Sequence, residues 1–188
     1  MCRTVVVMKR TLAAFALVLA IGCSGDAMTS GGSDLFNEAD VEFVQGMIPH
    51  HEDAIRMADM ATSSAVSAAT ADLVSDIRAA QEPEIAQMRG LLSQWGVEEN
   101  PHAMHMMDDA SMHGMMTQDD YRALESAVGV AFERMWLEMM IEHHQGAVQM
   151  SEVVLADGKH PVVRELATAI ASVQRAEISR MTALLDKL

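Results

Sequence analysis

Met47-Ile48-Pro49-His50-His51 returns later in the chain as Met140-Ile141-Glu142-His143-His144, at an ungapped shift of 93 residues between positions 50 and 143. The same shift aligns further pairs, namely Ala54 with Ala147, Met57 with Met150, Ile77 with Ile170, Gln81 with Gln174, Glu84 with Glu177 and Met88 with Met181. A register that holds without a gap over roughly 45 residues indicates a duplicated unit. Two copies of a two-helix unit predict four helices.

Helical periodicity extends over most of the chain after Ser33, where apolar residues recur at spacings of three and four and strong helix formers dominate. Thr117 fits the N-cap of a third helix, and Pro161 fits the first turn of a fourth. We therefore predict an all-α, up-down-up-down four-helix bundle, in which residues 96–118 form a long loop between two hairpins. The predicted helices cover residues 34–63, 68–95, 119–156 and 161–187.

The first 22 residues are typical of an export signal, because three basic residues precede an apolar run at 12–21. The run ends in Ala20-Ile21-Gly22-Cys23, which resembles a bacterial lipobox and predicts lipidation of Cys23. Cleavage by an ordinary signal peptidase and a buried N-terminal helix are the alternatives. Residues 23–33 are expected to form a flexible tether and 34–188 one domain, held at the cell envelope by the lipid alone.

The chain is acidic, with a formal charge of −14 that becomes −17 without the three basic residues of the expected signal. Such a charge disfavours nucleic acid and anionic lipid headgroups as partners, and it favours cations. Loss of Cys2 with the signal and lipidation of Cys23 would leave no thiol for a disulfide or a zinc site. No nucleophile with a paired base and no phosphate-binding glycine loop appears, so we expect a binding protein without catalytic residues.

Met47, His50 and Met57 share the predicted core face of the first helix, and Met140, His143 and Met150 share that of the third. His51 and His144 lie on a second stripe, where they either join the site or cap a neighbouring helix end. The second and fourth helices place Gln and Glu on the facing stripes, where an unpaired polar group costs about 1–3 kcal/mol. We expect these groups to hydrogen-bond the imidazoles and leave the other ring nitrogen for a metal, although a metal-free structural network is the alternative. The candidate ligands are Met47, His50, His51, Met57, Met140, His143, His144 and Met150, and their expected partners are Gln81, Glu84, Gln174 and Glu177.

The long loop is a second candidate metal site, because it interleaves three His with six Met. Thioether and imidazole donors together favour Cu(I) or Ag(I) over hard cations such as Mg or Ca. The loose spacing suits an adaptable loop that captures metal, and a Met-rich surface that packs on the bundle or a partner is the alternative. The loop candidates are His102, Met104, His105, Met106, Met107, Met112, His113, Met115 and Met116.

These motifs resemble the DUF305 family over roughly residues 34–188, in both halves. Members of that family look like ferritin-fold bundles with a Met-Ile-x-His-His signature, and the CopM-like relatives are periplasmic copper binders linked to copper tolerance. Ferritin-like di-iron sites place Glu-x-x-His where this chain has Met47-x-x-His50 and Met140-x-x-His143, and sulfur in place of oxygen favours copper over iron.

We therefore expect an exported protein that sequesters Cu(I), or passes it to a partner that the sequence does not identify. A metal oxidase, either a ferritin-like di-iron enzyme or a cuprous oxidase, is the alternative. Because a ligating imidazole must be deprotonated, metal affinity at the His sites is expected to fall below about pH 6.5.

Overall fold

A computed structural model describes residues 35–100 and 114–188, and all the regular structure in these two ranges is helical. The prediction of an all-α protein is thus confirmed. The helices are α1 (Glu38–Thr62), α2 (Ala68–Trp95), α3 (Gln118–Ser126), α4 (Val130–Asp157) and α5 (Pro161–Leu185). The expected signal and tether, the lipidation site Cys23 and most of the Met/His loop lie outside the described residues.

The predicted third helix, 119–156, is divided into the short α3 and the long α4. The helix α3 ends where Ala127 adopts an extended conformation. Two residues later Gly129 has a φ of 58°, in the left-handed region that favours glycine. The helical periodicity on both sides of this point concealed the interruption, although Gly129 is itself a residue type that ends helices.

Helix starts follow the chemistry that the sequence suggested. Thr117 caps α3 and shares a reciprocal capping box with Asp120, and Pro161 lies in the first turn of α5, so both predictions are confirmed. Asn37 and Asp40 form a second capping box at the start of α1, and these bonds satisfy main-chain amides that a helix start leaves unpaired. No helix within the described ranges is long and apolar enough to cross a membrane.

The directions of the four long helices do not simply alternate along the chain. The start of α1 contacts the end of α4, because the Asn37 side chain donates to the Asp157 carbonyl over 2.8 Å. The end of α2 contacts the start of α5, where Trp95 packs edge-on against His160 at 5.2 Å between ring centroids. Thus α4 is antiparallel to α1, and α5 is antiparallel to α2, which gives an up-down-down-up order instead of the predicted up-down-up-down.

The connection between the hairpins allows this reversal. It leaves α2 at one end of the bundle and enters α4 at the other, about 42 Å away for a helix the length of α2. Residues 96–129 are numerous enough to span that distance. The two repeats are therefore related by a pseudo-two-fold axis that crosses the bundle and pairs α1 with α4.

Two buried carboxylates join the hairpins to each other. Asp40 of α1 is fully buried and accepts the main-chain amide of His160, at the start of α5, over 3.1 Å. Its equivalent at the 93-residue shift is Glu133 of α4, which accepts the Ser67 amide over 3.1 Å and the Ser67 and Thr70 hydroxyls over 2.5 Å at the start of α2. Each hairpin thus caps the second helix of the other.

Candidate metal centre

The four paired histidines meet in the middle of the bundle, and we call His50, His51, His143 and His144 the histidine layer. All four have 0% solvent exposure. The His50 and His143 rings face each other across α1 and α4, with centroids 3.8 Å apart and planes tilted by 42°. Within each pair the centroids are 6.4 Å and 6.3 Å apart. The pseudo-two-fold axis therefore brings the two first histidines together, with the two second histidines outside them.

The second histidine of each pair is held by a carboxylate from the neighbouring helix. His51 Nε2 lies 2.8 Å from Glu84 Oε2, and His144 Nε2 lies 2.7 Å from Glu177 Oε2. The remaining ring nitrogen, Nδ1, is buried in both residues and has no hydrogen-bond partner in the described part of the chain. A carboxylate on one nitrogen fixes the ring and leaves the other nitrogen available, which is the usual arrangement behind a metal-binding imidazole.

The imidazoles of His143 and His144 are held in their neutral form. Burial lowers the pKa of His143 well below its ordinary value of 6.5, and the adjacent His50, His144 and His51 rings lower it further, against an opposing hydrogen bond with the His50 main chain. Burial also lowers the pKa of His144, although the Glu177 carboxylate opposes this shift. Both rings are therefore neutral at pH 7, the state in which a ring nitrogen can bind a metal.

Two glutamines complete the polar core without the contacts that the sequence suggested. Gln81 and Gln174 are each 2% exposed, yet neither side-chain amide forms a hydrogen bond within the described ranges. The expected hydrogen bonds from these amides to the histidines are thus not formed. Unpaired polar groups in a core cost about 1–3 kcal/mol each, so the layer has the chemistry of a site that takes a polar or charged occupant.

Thioethers lie on both sides of the histidine layer. Met47 and Met150 belong to the core cluster on the side of the α1 start, and Met57 and Met140 belong to the cluster on the other side. Met47, Met57 and Met140 are fully buried, and Met150 is nearly so. The two copies of the Met/His stripe therefore each place one thioether on either side of the imidazoles. Within residues 35–100 and 114–188, no group of three or more His, Cys, Asp or Glu side chains could hold a metal ion.

Asp53 is a member of the site that sequence reasoning missed. Its Oδ1 accepts the Tyr121 hydroxyl over 2.5 Å, its Oδ2 accepts the Met116 amide over 3.2 Å, and Oδ2 lies 3.6 Å from His143 Nε2. Burial raises the pKa of the Asp53 carboxyl, while the bonds from Tyr121 and Met116 and the charge of Arg56 oppose that shift. The repeat gave no signal for this residue, because the 93-residue shift aligns it with a glycine.

The described end of the Met/His loop lies against the histidine layer. Gly114 has a φ of 91°, and a Cβ there would lie 2.4 Å from the Glu142 carbonyl oxygen and 2.7 Å from His143 Cα. Met115 and Met116 are half-buried, and Met116 packs on the core cluster that contains Met57. The other loop candidates, His102, Met104, His105, Met106, Met107, Met112 and His113, lie outside the described residues.

The fold and site define a duplicated helical-hairpin bundle with a histidine core bordered by methionines. The family model of DUF305, a domain of unknown function, matches residues 40–185. The chain belongs to this family. No curated protein sequence matches it.

Several solved structures resemble the fold, and two of them are DUF305 proteins. A DUF305 fragment from Deinococcus radiodurans is 31% identical with a TM-score of 0.70, over 81% of this chain and 98% of the other. A DUF305 protein from Streptomyces coelicolor, named as a candidate secreted protein, is 27% identical with a TM-score of 0.71, over 79% and 93%. CopM with bound Cu(II) is 34% identical with a TM-score of 0.67, over 79% and 96%. CopM is also known in Cu(I)-bound and Ag-bound forms, both at 31% identity.

Proposed function

We propose that this protein binds copper as Cu(I), and Ag(I) by the same chemistry, outside the cytoplasm. The observation that carries the proposal is the pair of carboxylate-held imidazoles, His51 and His144, whose Nδ1 atoms are buried without a hydrogen-bond partner in the described residues. They lie beside the His50–His143 contact and between two groups of buried thioethers. The similarity to CopM, a protein solved with copper and silver bound, supports the same metals here.

The donor set explains the choice of metal. Neutral imidazole and thioether are soft or borderline ligands, which suit Cu(I) and Ag(I) better than Mg, Ca or Mn. The buried thioethers Met47, Met57, Met140 and Met150 would supply sulfur from both sides of the layer. His51 and His144 would supply Nδ1, and His143 would supply a third ring nitrogen. The metal is cargo in this proposal, so the protein stores it or passes it on.

The loop is proposed as a second source of ligands. Its flanks are tied to neighbouring positions of α1, because Arg89 bonds both Glu52 and Glu99 at one end and Asp53 accepts the Met116 amide at the other. Both flanks of residues 101–113 are therefore held at α1, the helix that carries His50 and His51. Export and a lipid anchor at Cys23 belong to the same proposal, and the signal-like sequence before Cys23 supports them.

Binding without turnover is also proposed, against the alternative of a metal oxidase. Asp53, Glu84 and Glu177 bring carboxylates to the layer, and this observation is the one that favours the oxidase. Oxygen consumption after addition of Cu(I) or Fe(II) tests this point. Catalytic uptake of oxygen that exceeds the amount of protein would refute a simple binding role.

The decisive experiment is an anaerobic Cu(I) titration against a chromophoric competitor, with the protein from Ser24 onward. The layer variant is the double substitution His51→Gln and His144→Gln, and His160→Gln is a matched control that changes a histidine outside the layer. A third protein lacks residues 101–113 but keeps Gly114, which packs on α4.

Each result has a distinct meaning. We expect tight binding by the parent and the control, and affinity lower by at least 10–100-fold in the layer variant. Loss of binding only in the deletion would make the loop the principal site. If the parent does not compete for Cu(I) at all, the copper proposal is refuted and the polar core is structural.

A further inference from the structure

Asp53 lies where three parts of the chain meet. It belongs to α1, it accepts the hydroxyl of Tyr121 from α3 over 2.5 Å, and it accepts the main-chain amide of Met116 just before α3 over 3.2 Å. The same oxygen that binds Met116 lies 3.6 Å from His143 Nε2 on α4. That last distance is longer than a hydrogen bond, but it is short enough for a carboxylate charge to act on the dipole of the neutral imidazole. One carboxylate thus joins α3, the histidine layer and residues 114–117 just before α3, which we call the connector.

This junction is present in only one half of the pseudo-symmetric layer. The equivalent of Asp53 in the second repeat is Gly146, which has no side chain to offer His50. The imidazoles of His51 and His144, by contrast, have matching carboxylates in Glu84 and Glu177. The two halves therefore hold their second histidines alike and their first histidines differently.

The connector approaches the layer on the same side. The main chain of Gly114 packs directly against the main chain of Glu142 and His143. Its φ of 91° is one that residues other than glycine rarely adopt. Two residues later the Met116 amide bonds Asp53. The main chain of Gly114 therefore holds the connector against α4. The Asp53 carboxylate holds the connector to α1.

We propose that Asp53 is a positioning residue, whose carboxylate orients the His143 imidazole and links that orientation to the connector. Asp53 orients the His143 ring in the metal-free protein. The effect of this orientation on metal binding rests on the proposed function. Removal of the carboxylate frees the His143 ring, while the rings held by Glu84 and Glu177 keep their orientation. Metal affinity falls because a mobile ligand must be ordered again upon binding.

The test compares the parent with Asp53→Ala and Tyr121→Phe in the metal-free protein at neutral pH. The Tyr121 substitution leaves the carboxylate in place but removes one of its hydrogen bonds, and it serves if the Asp53 variant does not fold. Asp59→Ala is the matched control, since Asp59 is an exposed carboxylate of the same helix that pairs with Arg78. The readout is the set of imidazole ¹⁵N chemical shifts, which report the tautomer and hydrogen bonding of each histidine.

We expect the His143 signals to move in Asp53→Ala and, less, in Tyr121→Phe, while those of His51 and His144 stay in place. The Cu(I) affinity of the Asp53 variant should fall by roughly 10–100-fold, as for other residues that orient a ligand. Lower unfolding stability with unchanged His143 signals would overturn the proposal. A parent that binds no copper would refute the proposed function instead, because the imidazole shifts still decide the role of Asp53.

Discussion

Replacement of Glu133 by Ala tests the contact between the start of α4 and the start of α2, which joins the two hairpins. The carboxylate is only 5% exposed and accepts three hydrogen bonds from the start of α2. Two come from Ser67, through its amide and its hydroxyl, and the third comes from the fully buried Thr70 hydroxyl. The substitution removes the carboxylate that accepts all three bonds, and it leaves a small cavity.

The expected loss of unfolding free energy follows from these bonds. A hydrogen bond to a charged group contributes about 1.5–3 kcal/mol, and a buried donor left without an acceptor costs about 1–3 kcal/mol. The Ser67 hydroxyl still accepts the Thr70 amide, and Ser67 is an exposed residue whose amide water can reach, so the lower values apply. We expect a loss of about 3–5 kcal/mol, a large part of the usual 5–15 kcal/mol.

The loss of stability in Glu133→Ala should also depend on pH, and the direction of this dependence can be predicted. Burial alone would raise the pKa of Glu133, but the hydrogen bonds from Ser67 and Thr70 bring it below the ordinary value of 4.5. A carboxyl whose pKa is lower in the folded state stabilises the protein above the unfolded value, and this contribution is lost as the pH falls through the folded value. The effect of the substitution should therefore be full at pH 7 and smaller at pH 3.

Urea unfolding followed by far-UV circular dichroism at pH 7 and pH 3 measures both effects. Glu138→Ala is the control, because Glu138 is an exposed carboxylate of the same helix and should change stability by less than about 0.5 kcal/mol. A loss in Glu133→Ala no larger than in this control would refute the reasoning. An equal loss at both pH values would refute the part assigned to the charge.

Three further predictions address the second cap and the histidine layer. Asp40→Ala should cost about 2–4 kcal/mol in urea unfolding, because it removes the acceptor of the His160 amide; a loss under about 0.5 kcal/mol contradicts the capping role. Glu177→Gln should weaken Cu(I) binding roughly 10–100-fold in the competitor assay without loss of helix content, because it removes the charge that fixes His144, and unchanged affinity contradicts that role. Cu(I) affinity should hold below pH 6.5, the limit expected from the sequence, because burial lowers the pKa of the proposed ligands His143 and His144; a fall already between pH 7.5 and 6.5 contradicts this.

The sequence predicted the helices well, because each long helix carries a continuous apolar periodicity and ordinary start signals. It did not predict their directions, since nothing in residues 96–118 indicated that the chain leaves α2 at one end of the bundle and enters α4 at the other. The reversal is visible only through distant contacts such as Asn37 with the Asp157 carbonyl. The break at Gly129 was missed for a related reason, because the periodicity on either side suggested one helix.

The candidate site could be predicted only where the repeat contained it. Glu84 and Glu177 stood out as charged residues on apolar stripes, and the structure places them against the second histidine of each pair. Asp53 has no counterpart in the second repeat, so neither periodicity nor duplication indicated a role for it. Its position depends on how the connector packs, a long-range outcome that local patterns do not encode.

The exchange of caps between the hairpins has a consequence for how the molecule comes apart. If the first hairpin separates, the His160 amide at the start of α5 loses its acceptor, Asp40. If the second hairpin separates, the Thr70 hydroxyl at the start of α2 loses its acceptor, Glu133. Neither hairpin can therefore retain its full set of bonds while the other is unfolded. We therefore expect the duplicated halves to unfold in a single cooperative transition, in spite of the modular sequence.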